Sequence, residues 1–454
     1  MSSQIDQMNA GRLPRSAAIL ERAKRTLVSP TVTGPYRTPK NIPFVARAQG
    51  AHVWDVDGHD YVDITLAYGP LILGHSHPIV VDAIDRACRN GTVYAMAHEH
   101  EVALAELMVD AIPCADRVAF SNSGTEATLH AMRIARARKG RDLIAKFEGG
   151  YHGVHDYALV SGSLADPTGS ADDPASVPDT PGIPRATVDQ IATLSYGSSA
   201  SLDKIRALAS ELAAVIIEPV PSSYPVDLGD YLRELREVTR ECGVLLIFDE
   251  VISGFRLGYG GAQSHYGVTP DMATYGKIMG GGLPAGAVAG SVDAMQPALG
   301  TGDPLQDKME GKLLLIGTFS GNPLTSCAGR AVLEYLRDHP EVYTHIDGLA
   351  ARIKREVHEF CRDEGYDLRL IGLGSWFLPH FIESEPKGPR DLRETANYLK
   401  GSALGEYMRY HGVYASDLHI AFVGAAHTDA DADRIVQAYK NSLTDMRREG
   451  LLPA

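Results

Sequence analysis

The sequence is short of what several protein classes require. Its five cysteines, Cys88, Cys114, Cys242, Cys327 and Cys361, are scattered and form no CxxC pair. A disulfide framework and a thiolate zinc site are therefore disfavoured, and a reducing compartment is the simpler reading. Basic residues are in the minority, 43 Lys and Arg against 57 Asp and Glu, for a formal net charge of -14. That disfavours a nucleic-acid partner, which needs clustered cations, but does not exclude a small anionic substrate, which meets a local field. No apolar run reaches the length of a membrane span. The opening MSSQIDQMNAGRLPRS has no apolar core and does not read as a secretory signal. A cytoplasmic location, with no membrane partner, is expected. No GxGxxG fingerprint opens a helix after a strand, and no internal repeat is present.

What is there fits a globular chain, with 44% hydrophobic and 22% charged residues in 454. That length suggests about two to three domains. The first forty residues are polar and Pro-rich, an arm with one helix near Ala17–Arg25. Ile42 to Ile64 alternates apolar and polar residues around Asp57-Gly58, which predicts a hairpin. AHEHEVALAELMVDAIP has helical spacing. RVAF (Arg117–Phe120) is a short strand. TEATLHAMRIARARKG is a helix closed by Gly140, and DLIAKF (Asp142–Phe147) is a strand. AAVIIEP (Ala213–Pro219) and GVLLIFDEV (Gly243–Val251) are near-continuous apolar runs, suited to strands buried on both faces, and a helix separates them. Such alternation predicts an α/β domain with a mostly parallel sheet. Ser161–Pro184, rich in Pro, Ser, Gly and Asp, is too long for an ordinary connection and reads as a lid or a mobile insertion. GLGSWFLPHFI (Gly372–Ile382) predicts a strand pair or a bulged strand, and TDADADRIVQAYKNSLTDMRR a closing helix.

Five segments carry candidate chemistry, each with an ordinary alternative. Ser121–Ala127 lies between a strand end and a helix start, where amide N–H groups and the Ser123 and Thr125 hydroxyls can hold an anion; simple N-capping is the alternative. Phe147–Gly153 (FEGGYHG) lets the backbone approach a ligand and present the Tyr151 ring, or is a plain turn. Asp249, in FDEV, sits at the end of an apolar strand, where open α/β sheets bind ligands. A carboxylate there can keep a pyridine nitrogen protonated, or cap a turn. Lys277 follows a short apolar strand and precedes Gly280-Gly281-Gly282; desolvation would make it a nucleophile, whereas most lysines are surface residues. Gly317–Pro323 (GTFSGNP) offers the Thr318 hydroxyl in what is otherwise a loop.

Together SNSGTEAT, FEGGYHG, IIEPV, FDEVISGFR, YGKIMGGGLPAGA and GTFSGNPL resemble the class III aminotransferases, a branch of the fold type I pyridoxal-phosphate (PLP) enzymes. Within the class they are most similar to glutamate-1-semialdehyde 2,1-aminomutases and to relatives such as D-phenylglycine aminotransferases. The similarity runs from about Gly50 to Arg330 and is looser beyond. It implies an α/β fold type I architecture: a large domain over 71–335 with a mostly parallel seven-stranded sheet, an arm and part of a small domain over 1–70, and a small α+β domain over 336–454. It implies pyridoxal 5'-phosphate as cofactor, cycling through its pyridoxamine form, and no metal. Lys277 would carry the cofactor as a Schiff base and move protons. Asp249 would pair with the ring nitrogen. Tyr151 would stack on one ring face and Val251 on the other. Ser123, Gly124 and Thr125 would hold the phosphate, Glu218 would lie near the phenolic oxygen, and His152 is placed near the cofactor. Thr318 would reach the cofactor of a second subunit, so a homodimer is expected.

The main functional expectation is an aminotransferase moving an amino group from an amino acid or amine to a keto acid or aldehyde. The alternative is an intramolecular aminomutase; a racemase or a non-catalytic scaffold ranks lower. Leu66–Pro70 (LAYGP) carries Tyr68 where the aminomutase resemblance expects Trp, and the insert is acidic (Asp166, Asp172, Asp173, Asp179). Both features argue for the transferase. Arg37 in the arm is a candidate for gripping a substrate carboxylate, and Tyr68 for lining the pocket. His75/His77 and His98/His100 have the spacing of metal ligands but no partner cluster. Arg256 reads as a structural ion-pair partner.

Overall fold

A computed structural model describes residues 4–29, 41–162, 166–223, 225–382, 386, 388–392, 395–416 and 420–453. The chain divides into two compact units. One comprises Met1–His77, Thr344–Lys387 and Asp391–Ala454; the other comprises Pro78–Tyr343 and Gly388–Arg390. The chain thus rejoins the second unit for three residues only.

In the first unit, the described residues of the arm hold two helices rather than one, Gln4–Arg12 and Pro14–Ala23. Pro14 supplies a preset φ at the second start, and the Asp57 carboxylate accepts the amides of Arg15 and Ser16 at 2.7 and 3.0 Å. The expected hairpin is a three-stranded meander, β1 (Val45–Gln49), β2 (His52–Asp55) and β3 (Asp60–Asp63). Asp55 Oδ1 accepts the amides of Asp57 and His59, which forms the turn through Gly58. After β3 the chain makes a left-handed turn, with φ of 44, 54 and 68° at Leu66, Ala67 and Tyr68, then 106° at Gly69. Non-glycine residues there cost about 1–2 kcal/mol each. The Asp63 carboxylate holds the turn by accepting the amides of Thr65 and Leu66 at 2.7 and 3.1 Å.

The second unit is built on seven strands: β4 (Arg117–Ser121), β5 (Leu143–Phe147), β6 (Ile191–Leu194), β7 (Leu212–Ile217), β8 (Leu245–Asp249), β9 (Met272–Gly276) and β10 (Gly286–Gly290). Their order is β4-β10-β9-β8-β7-β5-β6. Every pair is parallel except those made by β10, which runs antiparallel to both neighbours. Strands β7 and β8 are buried at every position, as strands covered on both faces must be. Helix Gly124–Lys139 packs on β7, β9 and β10 through Ala127, Ala131, Ile134 and Ala135, and Gly140 ends it at φ 62°.

The insert has a defined path over its described residues. The Ser161 hydroxyl donates to Ala175 O and accepts from the Val177 amide. Gly169 bridges Pro174, and the Ser176 hydroxyl donates to Ile191 O on edge strand β6. The neighbouring outer carbonyl, Thr193 O, accepts from Lys204 Nζ.

Beyond the second unit, β11 (Leu368–Ile371), β12 (Trp376–Phe381) and β14 (Ala421–Phe422) form a small sheet, and β13 (Val413–Tyr414) joins β3. Within Gly372–Ile382 there is thus one strand, β12, and its partners come from outside that stretch. Helix Asp429–Arg448 begins at a Thr428/Asp431 capping box. Among the described residues, no helix is long and apolar enough to cross a membrane.

Candidate active site

The candidate residues of the second unit converge at the C-terminal ends of the central parallel strands. β4 ends at Ser121, and Ser123 caps helix Gly124–Lys139 by accepting the Glu126 amide at 3.2 Å. Glu126 Oε2 accepts the Asn122 amide in return, at 2.7 Å. Capping and anion binding are compatible here: the Ser123 hydroxyl keeps its own proton to donate, and the first amides of a helix have no partner within it. Glycine is required beside this turn. A Cβ on Gly124 would lie 3.0 Å from both methyls of Val251, and one on Gly286 would lie 2.1 Å from Ser123 O.

FEGGYHG leaves β5 and folds onto that helix start. Gly153, at φ 92°, comes so close that a Cβ would lie 2.4 Å from Thr125 Oγ1. The Tyr151 amide donates to Glu218 Oε2 at 2.9 Å while its side chain stays half exposed (47%). A fixed backbone with an open ring is what a planar ligand needs.

Behind the turn, His152 Nδ1 lies 2.7 Å from Asp249 Oδ2, and both side chains are buried. Asp249 Oδ1 accepts the Val251 amide and the Thr274 hydroxyl, each at 3.1 Å. The carboxylate is therefore oriented by three neighbours at the end of β8. Thr274 carried no signal in the sequence: a hydroxyl inside an apolar strand is recognised only once the strands are paired. His155 is held neutral, with its pKa pushed down to about 3, chiefly by burial and then by the charges of His152, Lys146 and Arg136. Its Nδ1 accepts the Ala158 amide, so its Nε2 faces Thr128 Oγ1 at 3.2 Å as a donor.

Lys277 follows β9 with φ 50° in a short 3-10 turn. Its side chain retains some access to solvent, yet it is surrounded by protein. That enclosure lowers its pKa from 10.5 to about 8. The negative charges of Asp249 and Glu218 oppose the fall, and buried Arg256 adds to it. Glu218 is itself pushed up by burial and by Asp249. A partly neutral amine beside two carboxylates, next to a helix N-terminus and an open aromatic ring, can attack a carbonyl and shuttle protons.

The other candidates lie elsewhere. The Thr318 residue is exposed; its turn approaches the Ser123 turn through an Asn122 Nδ2–Ser320 Oγ contact of 3.4 Å. Tyr68 sits in the left-handed turn of the first unit, with its hydroxyl 3.4 Å from Ser416 Oγ. Arg37 lies outside the described residues. His75 pairs with Asp63 at 2.7 Å. His98 caps helix Glu99–Ala111 and donates from Nε2 to Gly321 O at 2.8 Å. Among the described residues, no three metal-ligating side chains cluster.

A seven-stranded sheet of this order, with a lysine after β9, an aspartate ending β8 and a helix start after β4, defines a PLP-dependent enzyme of fold type I. The solved omega-transaminase of Sphaerobacter thermophilus has the same fold, with a TM-score of 0.88 at 35% identity over 95% of this chain and 97% of that one. The chain belongs to the class-III aminotransferases, whose family pattern matches residues 35–378. It is 36% identical to the glutamate-1-semialdehyde 2,1-aminomutase of Methanothermobacter thermautotrophicus over 95% of this chain and 100% of that protein. It is 38% identical to the enzyme of the same name from Methanoculleus marisnigri over 94% and 99%.

Proposed function

We propose that this chain exchanges amino and carbonyl groups within one substrate, as a glutamate-1-semialdehyde 2,1-aminomutase does, with PLP on Lys277. The observation that carries the amino-exchange chemistry is Lys277, enclosed after β9 beside Asp249 and Glu218 with its pKa lowered to about 8. The curated relatives favour the intramolecular reaction, the alternative that the sequence offers beside transfer between two substrates.

The residues present fit the cofactor. Ser123 Oγ–H and the amides of Gly124 and Thr125 would hold its phosphate at the positive end of the helix. Asp249, oriented by His152, Thr274 and Val251, would keep the ring nitrogen protonated. Tyr151 and Val251 would flank the ring, and Glu218 would face its phenolic oxygen. When bound, the cofactor supplies the electron-withdrawing ring that acidifies a Cα–H. Lys277 Nζ would take that proton and deliver it to the carbon that gains it. Thr318 would complete the phosphate site of a second copy. In support, Thr318 is flanked by exposed apolar side chains, Ile316 (75%) and Phe319 (57%), which a homodimer would cover.

A second reading, transfer between separate donor and acceptor, is favoured by Tyr68 in place of the expected Trp, by the acidic insert and by the likeness to the omega-transaminase. One experiment separates the two. The visible spectrum of the holoenzyme is followed during titration with D-, L- and β-amino acids, amines and the semialdehyde. Catalytic conversion of the semialdehyde to 5-aminolevulinate with no added acceptor supports the mutase. Stoichiometric bleaching by one amine donor, with release of its keto product and no mutase turnover, refutes it.

A further inference from the structure

We infer that the Glu148–Arg390 ion pair sets the turn that presents Tyr151, and that Arg390 is a positioning residue for cofactor retention. The inference rests on the reading of Tyr151 as the residue that flanks the ring. Glu148 is the first residue after β5, and its carboxylate is buried (5% exposed). It accepts two parallel hydrogen bonds from one guanidinium, Arg390 Nε to Oε2 at 2.7 Å and Nη2 to Oε1 at 3.0 Å. The same guanidinium donates to Gly169 O at 3.0 Å and Thr168 O at 3.3 Å. One planar cation therefore fastens the Tyr151 turn to the acidic insert, a use suited to the rigid fork of arginine. Arg390 belongs to the three-residue return of the chain to this unit.

The rest of the turn is held from within the same unit. Lys146 Nζ, fully buried, donates to Gly150 O and Val160 O. The Ser223 hydroxyl donates to Gly149 O at 2.9 Å, and Glu218 takes the Tyr151 amide. Arg390 differs from these in neutralising a buried anion. If its charge is removed, Glu148 is left as an uncompensated carboxylate in the interior, which is strongly unfavourable. The cheapest relief is for Glu148 to turn toward water and take Gly149–Tyr151 with it. Removing the Glu148 charge instead leaves Arg390, a quarter exposed, free to hydrate in place. The two single substitutions are therefore unequal, and removing both charges rescues the worse one.

The test uses three holoenzyme variants, Arg390→Gln, Glu148→Gln and the double substitution, with Arg390→Lys in case the first folds poorly. Arg390→Gln is expected to weaken cofactor retention about tenfold or more, and Glu148→Gln and the double variant less than about threefold. Arg390→Lys keeps the charge but loses the fork and falls between. Hydrogen exchange of the apoprotein gives a readout independent of the cofactor. In Arg390→Gln the amides of 149–151 and 168–175 exchange faster while those of β7 and β8 do not. Unchanged retention and exchange in Arg390→Gln, or a double variant as impaired as Arg390→Gln, would overturn the inference. If Tyr151→Ala retains the cofactor normally while the exchange result stands, the reading of Tyr151 fails and the role of Arg390 in setting the turn survives.

Discussion

Lys277 can be titrated in the apoprotein without any cofactor or substrate. Competitive acetylation reports the neutral amine at each lysine, and peptide mass spectrometry assigns it. With the pKa lowered from 10.5 to about 8, roughly one Lys277 in ten is neutral at pH 7, against about one in three thousand for an unshifted lysine. The reactive form is thus enriched on the order of 300-fold. The sign follows from burial, which disfavours the charged form. Reactivity should rise as pH increases through about 8, not through 10.5, with exposed Lys24 as an internal reference. Linkage gives a matching stability effect. Between about pH 8 and 10.5 the unfolded chain holds a proton that the folded chain has released, so the apoprotein gains stability as pH rises across that window. Asp249→Asn removes the largest charge opposing the shift, so the midpoint should move to lower pH. A wild-type midpoint near 10, or Lys277 no more reactive than Lys24, would refute the reasoning.

Other expectations follow from the same geometry. Lys277→Ala should abolish turnover while the protein still binds cofactor non-covalently, seen as an altered visible spectrum; full activity would remove Lys277 from its role. Asp249→Asn should lower kcat by orders of magnitude with the circular dichroism of the fold intact. Gly153→Ala combines a φ of 92° with a Cβ 2.4 Å from Thr125 Oγ1, so it should cost about 1–3 kcal/mol in thermal unfolding and weaken cofactor retention. Thr318→Val should weaken cofactor retention about tenfold, because its hydroxyl would serve the site of a second copy; unchanged retention, or a monomer in sedimentation, would remove Thr318 from that role.

The part of the fold legible in the sequence is the part written in local pattern. β7 and β8 are unbroken apolar runs, Gly140 ends a helix where an αL residue is needed, and Asp57-Gly58 makes a turn. The antiparallel place of β10 was not legible, because the small residues of GAVAG say nothing about which strands it joins, neither β9 just before it nor β4, 165 or more positions away (Gly286 opposite Ser121). The expected arm helix near Ala17–Arg25 is present as Pro14–Ala23, and it begins earlier because Asp57, about forty residues on, holds its first amides; Gln4–Arg12 was missed because QIDQMNAGR is mostly polar and has no apolar periodicity to mark a helix. The path of the insert is drawn by serine hydroxyls on backbone carbonyls, which leave no periodicity. In the candidate site, the motif residues were readable as a set through their resemblance. Lys146 and Arg390 were not, since a buried lysine and a clamping arginine look in a sequence like any other surface cation. Thr274 was hidden for a similar reason, in a strand whose apolar neighbours gave it no contrast.

The insert also bears on solubility. β6 is the last strand of the sheet, and such an edge can template pairing with another chain. Here its outward carbonyls at Ile191 and Thr193 are occupied by Ser176 and Lys204, so a foreign strand finds those acceptors already taken. A variant shortened across 166–180 to widen access to the site would therefore do two things at once. It would release the Arg390 contacts at Thr168 and Gly169, and it would free the Ile191 carbonyl on a sheet edge where other molecules can pair. Loss of activity in such a deletion, measured on material that self-associates, would reflect a colloidal defect as much as a catalytic one.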